Sequence, residues 1–232
     1  MTAAALRFTP MNLIRTVAFA AAFFALTDLL PAASVAERLS TAISIANDKQ
    51  GSFEPIPQAL INNAKGVAIV KVSKGGLVFG GSGGQGIVVR RIPGFLGFTW
   101  SAPSAFNVSG GSFGAQIGFE TKSFIILINT DEALKLFASD GKTKWDATAA
   151  GTLGGDTLRQ SESQLAKLPI IVYQSSSGVF GGATFGGTSI GADADANKKA
   201  YGSMVTVRDI LGGKVKGPAG SETLYKVLNG KR

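Results

Sequence analysis

The hydrophobic positions of the chain change their spacing near Gly66. Before it, apolar residues recur every three or four positions over residues 36–47, which predicts a helix. Pro57 suits the first turn of a second short helix, over residues 58–65, which Gly66 ends. After Gly66, β-branched and apolar runs alternate with glycine-rich stretches, the pattern of strands joined by tight turns.

The second part of the chain is predicted to be mainly β. Strands are predicted over residues 67–72, 77–81, 86–92, 99–100, 106–109, 113–119, 124–129, 145–153, 169–174, 179–190 and 201–207. The run over 124–129 is apolar almost throughout and predicts a central strand. Short helices are predicted over 131–139, 207–211 and 222–228. The fold class that follows is α+β, mainly β: an antiparallel, glycine-rich sheet, barrel-like or sandwich-like, with a few short helices.

Composition narrows the choice of partners. Charged residues make up 16% of the chain, against about 25% in an average soluble domain. The net charge is nevertheless +8, which suits an anionic partner such as a lipid headgroup, a nucleic acid or an acidic protein. The 23 basic residues are scattered rather than clustered on one predicted element, which disfavours nucleic acid.

The chain has no Cys and no His, and this excludes several kinds of chemistry. Disulfides, thiolate nucleophiles, Cys/His zinc sites and Ser-His-Asp triads all need one of these residues. We therefore expect no cofactor, no metal and no catalytic residues. Ser82 and Ser112 have the spacing of a nucleophile elbow, and Ser73 precedes Lys74, so a hydrolase with an unrecognised Ser is kept as an alternative.

Two further motifs match known ligand loops only in part. Gly81-x-Gly83-x-x-Gly86 has the spacing of a dinucleotide fingerprint, but a predicted strand follows where that fingerprint needs a helix. Asp193, Asp195 and Asn197 alternate as in calcium loops. The glutamate that such a loop needs at its twelfth position is missing, so a solvated turn is predicted there instead.

The first 36 residues have the parts of an export signal. Arg7 and Arg15 precede an apolar run over 17–26, and small residues precede a predicted cut after Ala36. The domain boundaries are therefore predicted at 1–36 and 37–232, with an exported protein, periplasmic or extracellular. Two alternatives stay open: an organelle transit peptide, and an uncleaved helix at a membrane surface, peripheral to it, with apolar Phe side chains towards the lipid.

Several motifs together resemble the SYLF domain. They are Ala64-Lys65-Gly66, Trp100-Ser-Ala-Pro-Ser-Ala105, Phe113-Gly-Ala-Gln116-Ile-Gly118 and Val179-Phe180-Gly181-Gly182. The resemblance implies a lipid-binding module. Eukaryotic relatives bind phosphoinositides, fungal relatives also bind actin filaments, and bacterial relatives are typically exported single-domain proteins. Ser82 and residues 175–177 stand where relatives commonly carry basic residues, which implies weak phosphoinositide selectivity because each such cation contributes about 1 kcal/mol at an anionic membrane.

The sequence thus predicts a non-enzymatic protein that binds an anionic lipid or membrane surface. Basic side chains and an apolar loop form the candidate lipid-binding site: Lys65, Lys74, Arg90, Arg91, Phe95, Leu96 and Phe98. The first alternative is a scaffold for a protein partner, with actin filaments as that partner in a eukaryotic cytosol. The second alternative is the hydrolase considered above.

Overall fold

The computed structural model of the protein describes residues 33–47, 56–76, 79–95, 97–113, 118–139, 143–144, 161–174, 178–181 and 188–230. Residues 1–32 of the predicted export signal, the predicted strand over 145–153 and Leu96 lie outside these residues.

The described strands form one antiparallel sheet. They are β1 (Gly66–Gly76), β2 (Phe79–Gly94), β3 (Gly97–Trp100), β4 (Ser104–Phe113), β5 (Gly118–Ile128), β6 (Thr143–Lys144), β7 (Ile170–Gln174), β8 (Gly178–Gly181) and β9 (Thr188–Ala192). Their order is β6-β9-β4-β2-β1-β5-β7-β8, and β3 pairs with the end of β2 beside β4. The sheet curves into a half-barrel, so the predicted α+β, mainly antiparallel β fold is confirmed.

Short helices pack on the sheet. They are α1 (Val35–Ala46), α2 (Gln58–Asn63), α3 (Asp131–Ala138), α4 (Glu162–Leu165), α5 (Ala194–Tyr201), α6 (Val207–Leu211) and α7 (Ser221–Leu228). None of the helices in the described ranges has the length and hydropathy to cross a membrane. The strand predicted over 201–207 is wrong, because Tyr201 ends α5 and a capping box between Thr206 and Asp209 starts α6.

The strands predicted over 77–81 and 86–92 belong to one long strand, β2. The glycine-rich stretch between them does not turn, because it continues in register against β1 from Gly80 to Arg90. A Cβ atom on Gly84 would lie 2.7 Å from a methyl group of Val72 and 2.9 Å from the carbonyl oxygen of Lys71. Glycine is needed in this part of β2 because the neighbouring strand approaches too closely for a side chain.

The sheet is buried on both faces over its central part. In β1, Val67 and Ile69 face the helices α1 and α7, whereas Ala68 and Val70 face α3 and α6. Residues of β5 alternate in the same way, which explains why its run over 124–128 is apolar without interruption.

Helix α1 begins with a capping box. The Ser34 hydroxyl accepts a hydrogen bond from the Glu37 amide at 3.3 Å, and the Glu37 carboxylate accepts one from the Ser34 amide at 2.7 Å. Val35, the first helical residue, is only 1% exposed. The cut predicted after Ala36 falls within this first turn.

We expect Ser34→Ala to lower the free energy of unfolding by about 1 kcal/mol, because the Glu37 amide at the start of α1 loses the hydroxyl that caps it. Urea denaturation followed by circular dichroism measures the change. Ser44→Ala is the control in the same helix, since the exposed Ser44 hydroxyl only bonds back to the carbonyl of Ser40. Equal stability of the two variants would contradict a capping role for Ser34.

Candidate functional site

The hairpin between β2 and β3 carries the most exposed aromatic residues in the described part of the chain. Phe95 at its tip is fully exposed, at 102%, and Phe98 is 41% exposed. Gly94 pairs with Gly97, which has a φ of 127°, a value that favours glycine. The only other large hydrophobic side chain exposed among the described residues is Met204, on the loop between α5 and α6.

Arg91 fixes the base of this hairpin. Its guanidinium lies 3.6 Å from the ring centroid of Phe98 and 5.1 Å from that of Trp100. It also donates a hydrogen bond of 2.9 Å to the carbonyl oxygen of Ile61. Burial lowers the pKa of Arg91. The Arg91 side chain is therefore engaged in holding Phe98 against the domain.

Lys65 and Arg90 lie next to this base and share one carboxylate. Lys65 Nζ donates to Asp131 Oδ2, and Arg90 Nη2 lies 3.6 Å from Asp131 Oδ1. The hydrogen bond from Lys65 is the main cause that holds the pKa of Asp131 below its ordinary value. All three side chains are about half exposed, so the trio presents a net charge of +1 to solvent.

Lys74 is exposed but lies elsewhere. It pairs with Ser82 in the register of β1 and β2, eight residues away from the pairing of Gly66 with Arg90. At about 3.3 Å per residue, this separates Lys74 from the base of the hairpin by about 26 Å. The structure therefore brings together Lys65, Arg90, Arg91 and the two phenylalanines of the predicted site, but not Lys74; Leu96 lies outside the described residues.

In the described part of the structure, neither Ser82 nor Ser73 is hydrogen-bonded to a basic side chain, although Lys74 lies opposite Ser82 in the register of β1 and β2. Ser82 Oγ donates to the carbonyl oxygen of Gly110 at 3.3 Å. The Ser73 hydroxyl bonds that of Thr121 at 3.0 Å, and Lys74 extends from the opposite face of the same strand. The side chain of Ser112 is outside the described part of the structure.

The solvated turn predicted at Asp193 is wrong. Asp193 and Asn197 are 7% and 2% exposed, and only Asp195 between them is exposed. Asp193 Oδ2 accepts a hydrogen bond of 2.5 Å from Arg38, and its Oδ1 caps α5 by accepting from the Ala196 amide. These acidic and amide groups are hydrogen-bonded within the protein, which is why they are buried rather than solvated.

The sequence contained one sign of this buried pair. Arg38 occupies the same helical stripe as Val35, Leu39 and Ala42, all of which are buried. A charged residue on an apolar stripe needs a buried partner. Its partner could not be named, because Asp193 is 155 residues away.

Comparison with known proteins agrees with the sequence motifs of the chain. A family model described as "Ysc84: Las17-binding protein actin regulator" matches residues 109–231. SH3 domain-containing protein PJ696.02 of Schizosaccharomyces pombe is 36% identical over 185 residues, which are 78% of this chain and 42% of that protein. LAS seventeen-binding protein 3 of Saccharomyces cerevisiae is 32% identical over 189 residues, 80% of this chain and 40% of that protein.

Human SH3 domain-containing YSC84-like protein 1 is 33% identical over 183 residues, 78% of this chain and 53% of that protein. The chain thus spans about half or less of the length of these relatives. No solved structure matches it. The family match and these identities settle the resemblance, and the chain belongs to the Ysc84 family, the family of the SYLF domain.

Proposed function

We propose that the protein is a non-enzymatic module that binds an anionic membrane surface through the hairpin of β2 and β3. The observation that carries this proposal is the full exposure of Phe95 at the hairpin tip. An apolar ring in water gains about 2 kcal/mol when it is buried in the membrane interface. Phe98 lies on the same hairpin and adds a smaller contribution.

The charges near the hairpin favour the same surface. Lys65 and Arg90 lie at its base and, together with Asp131, have a net charge of +1. The whole chain carries +8. Each cation near an anionic leaflet contributes about 1 kcal/mol, and this attraction falls off over about 10 Å at 0.1 M salt. Binding is therefore expected to be weak and to decrease as the salt concentration rises. Phosphoinositide and phosphatidylserine are both anionic lipids that fit this mechanism.

We expect Phe95→Ser to weaken binding to vesicles of phosphatidylserine and phosphatidylcholine by about tenfold or more, because the ring that enters the interface is removed. Co-sedimentation with vesicles at low salt measures the loss. Stability should not fall, since the fully exposed side chain buries nothing in the domain. Met204→Ser is the matched control, because Met204 is 92% exposed but lies outside the hairpin.

Two results would reject the hairpin as the membrane contact. One is an equal loss of binding in the Phe95 and Met204 variants. The other is a wild-type protein that sediments with no vesicle of any headgroup at low salt. Vesicles with phosphatidylinositol phosphates, matched in total charge to the phosphatidylserine vesicles, separate selectivity for one headgroup from general attraction to negative charge.

A protein partner is the second candidate, favoured by the names of the family and its relatives. The family description names an actin regulator, and one yeast relative is named a LAS seventeen-binding protein. An exposed aromatic residue beside a stacked Arg is also typical of the centres of protein interfaces. Co-sedimentation with actin filaments, run beside the vesicle assay with the same variants, separates the two candidates.

Export of the protein remains part of the proposal. Mass spectrometry of the mature N-terminus tests it. A chain that starts at Glu37 supports export and lacks Ser34 and Val35, the cap and the first buried residue of α1. A retained Met1 argues for the uncleaved alternative.

A further inference from the structure

The sheet face that packs on α1 changes from apolar to polar within one step along the strands. Ile69 and Ile87 are buried beneath the helices, and the next residues on the same face are Lys71 and Gln85, directly paired with each other. Asn107 continues this row on β4. In the following row, Ser73 pairs with Gly83 and with Thr121.

These rows form the floor of a groove with a cavity volume of about 500 Å³. The first turns of α1 form its wall, with Glu37, Arg38 and Thr41 lining it. The wall is fixed in place, because Arg38 is 3% exposed and bonds Asp193 and the carbonyl oxygen of Phe106. The groove is therefore a preformed feature of the domain.

The hydrogen-bonding groups left over on the floor are mainly donors. Gln85 Oε1 accepts from the Ala33 amide at 3.2 Å, which leaves its two Nε2 hydrogens without a partner among the described residues. The ammonium group of Lys71 likewise has no partner in the described ranges. Ser73 and Thr121 bond each other, and because only one of the two hydroxyls donates in that bond, the other has a hydrogen to give.

Gly83 leaves room above this floor. A Cβ atom built on it meets nothing within 4 Å, in contrast to Gly84 on the opposite face of the same strand. A ligand can therefore approach the backbone of β2 at Gly83, opposite Ser73, without displacing a side chain.

We infer that this groove is a second binding site, which takes a small molecule through an oxyanion group such as a phosphate or a carboxylate. The Lys71 ammonium, the Gln85 amide and the Ser73 hydroxyl supply the hydrogen bonds, with Thr121 as the donor in the bond between the two hydroxyls. Asn107 is committed to Arg38 and Asp193 and holds the wall rather than the ligand.

The groove is distinct from the proposed membrane contact. Gln85 and Phe95 are ten residues apart, and Gln85 is on the strand β2 that leads to the hairpin, so they are separated by about 30 Å. A lipid headgroup in the bilayer that the hairpin enters does not reach the groove. A soluble oxyanion and a headgroup from a second membrane surface share the same chemistry, and the tests below separate them.

The test uses the full-length chain, which keeps Ala33 and Ser34, with inorganic phosphate as the probe, titrated at constant ionic strength and followed by amide chemical shifts. Saturable shifts in residues 71–73 and 83–85 are expected, with a dissociation constant on the order of 1 mM. Lys71→Met should weaken binding by about fivefold or more. Lys74 is also exposed but lies on the opposite face of β1, so Lys74→Met should leave binding unchanged. Gly83→Val should abolish binding by filling the groove, and the open space at Gly83 lets this variant fold.

Glu37 provides a test of whether the ligand in the groove is negatively charged. Hydrogen bonds from Ser34 lower the pKa of Glu37, so it is ionised and repels an anion in the groove. Glu37→Gln removes this charge and keeps a residue suited to the capping box, so it should strengthen phosphate binding by roughly two- to threefold. A neutral sugar would not gain from this change, and saturable binding of glucose with no effect of phosphate would overturn the inference.

The remaining outcomes each decide the question. Absence of saturable shifts with phosphate, or equal losses in the Lys71 and Lys74 variants, overturns the site. Phosphate binding that survives in Phe95→Ser supports a site separate from the hairpin, even if vesicle binding by the wild type fails. If Lys71→Met loses vesicle binding but phosphate does not bind, the groove takes membrane headgroups only, and the inference of a small-molecule site is rejected.

Discussion

Replacement of Arg38 by Met is expected to lower the free energy of unfolding by about 3–5 kcal/mol, because it leaves the Asp193 carboxylate buried without its cation. The side chains of the two residues are 2% and 8% exposed. Methionine keeps most of the length of the arginine side chain, so the loss of charge and hydrogen bonds accounts for most of the effect. Urea denaturation measures the change.

The expected loss is large because Arg38 connects three elements. Its Nε donates to the carbonyl oxygen of Ala33 at 2.8 Å, just before α1. Its Nη1 donates to the carbonyl oxygen of Phe106 in β4 at 2.9 Å, and its Nη2 to Asp193 at the start of α5. Removing the guanidinium takes one donor from an acceptor at each of these elements, and the buried Asp193 carboxylate keeps only neutral donors, the Ala196 amide and Asn107.

A double-mutant cycle separates the ion pair from the rest of the network. Asp193→Asn keeps a side chain that caps α5 and removes the negative charge. The Arg38→Met, Asp193→Asn double variant should therefore be more stable than Arg38→Met alone. Arg208→Ala is the control for an exposed arginine and should change stability by about 0.5 kcal/mol or less. A double variant no more stable than Arg38→Met would show that the uncompensated charge is not the cause.

The same pair gives stability a dependence on acid pH. Burial by itself raises the pKa of Asp193, but the Ala196 amide, Arg38 and Asn107 outweigh it and hold the pKa below its ordinary value. Ionised Asp193 therefore contributes fully to the free energy of unfolding above its unfolded pKa of about 3.9. This contribution is lost as the pH falls through the lower pKa of the folded state. Asp193→Asn should reduce the slope of stability against pH below about pH 4.

The pattern of apolar residues along the sequence predicted the strands of the sheet. It did not predict contacts between residues that lie far apart along the chain. Residues of β5 alternate between two cores, and an apolar run with no polar position predicts such a strand directly. Contacts such as that of Arg38 with Asp193 depend on the register of β4 with β9, which places the start of α5 against α1. No local pattern encodes that register.

The candidate site was likewise predicted from the sequence only in part. An aromatic loop flanked by glycines was readable from the sequence, and Phe95 is exposed at its tip. The side on which Arg91 lies depends on the pairing of Gly94 with Gly97, which sets Arg91 opposite Trp100 and beneath Phe98. A shift of one residue in that pairing would have turned the guanidinium away from both rings.

The structure changes the interpretation of the glycines of β2 more than that of any other motif discussed above. Their spacing resembled a ligand loop, yet they lie within a paired strand between β1 and β4. Gly86 pairs with Val70 on one side and with Phe106 on the other, and it is buried. Gly83, three residues earlier, faces the open groove. Position 86 therefore has no room for a side chain, whereas position 83 does, although both are glycines of the same strand.

Gly86→Ala is accordingly expected to destabilise the protein by about 3 kcal/mol. The added methyl group would overlap the carbonyl oxygen of Ile69 and lie 2.8 Å from both the Phe106 ring and the Cβ atom of Val70. Relief requires β1 to move away from β2, or Phe106 to move from its edge contact with Phe137, whose ring centroid is 5.0 Å away. Either movement disturbs backbone hydrogen bonds or close packing in the centre of the sheet.

Gly83→Ala is the matched control for this substitution. Its methyl group meets nothing within 4 Å, so its stability should stay within about 0.5 kcal/mol of the wild type or rise slightly, since alanine restricts the unfolded chain more than glycine does. Urea denaturation of both variants measures the difference. If the two variants unfold at the same urea concentration, close approach of the strands is not what requires glycine in β2. A large difference in the expected direction assigns Gly86 to the packing of the sheet and leaves Gly83 as the glycine that keeps the groove open.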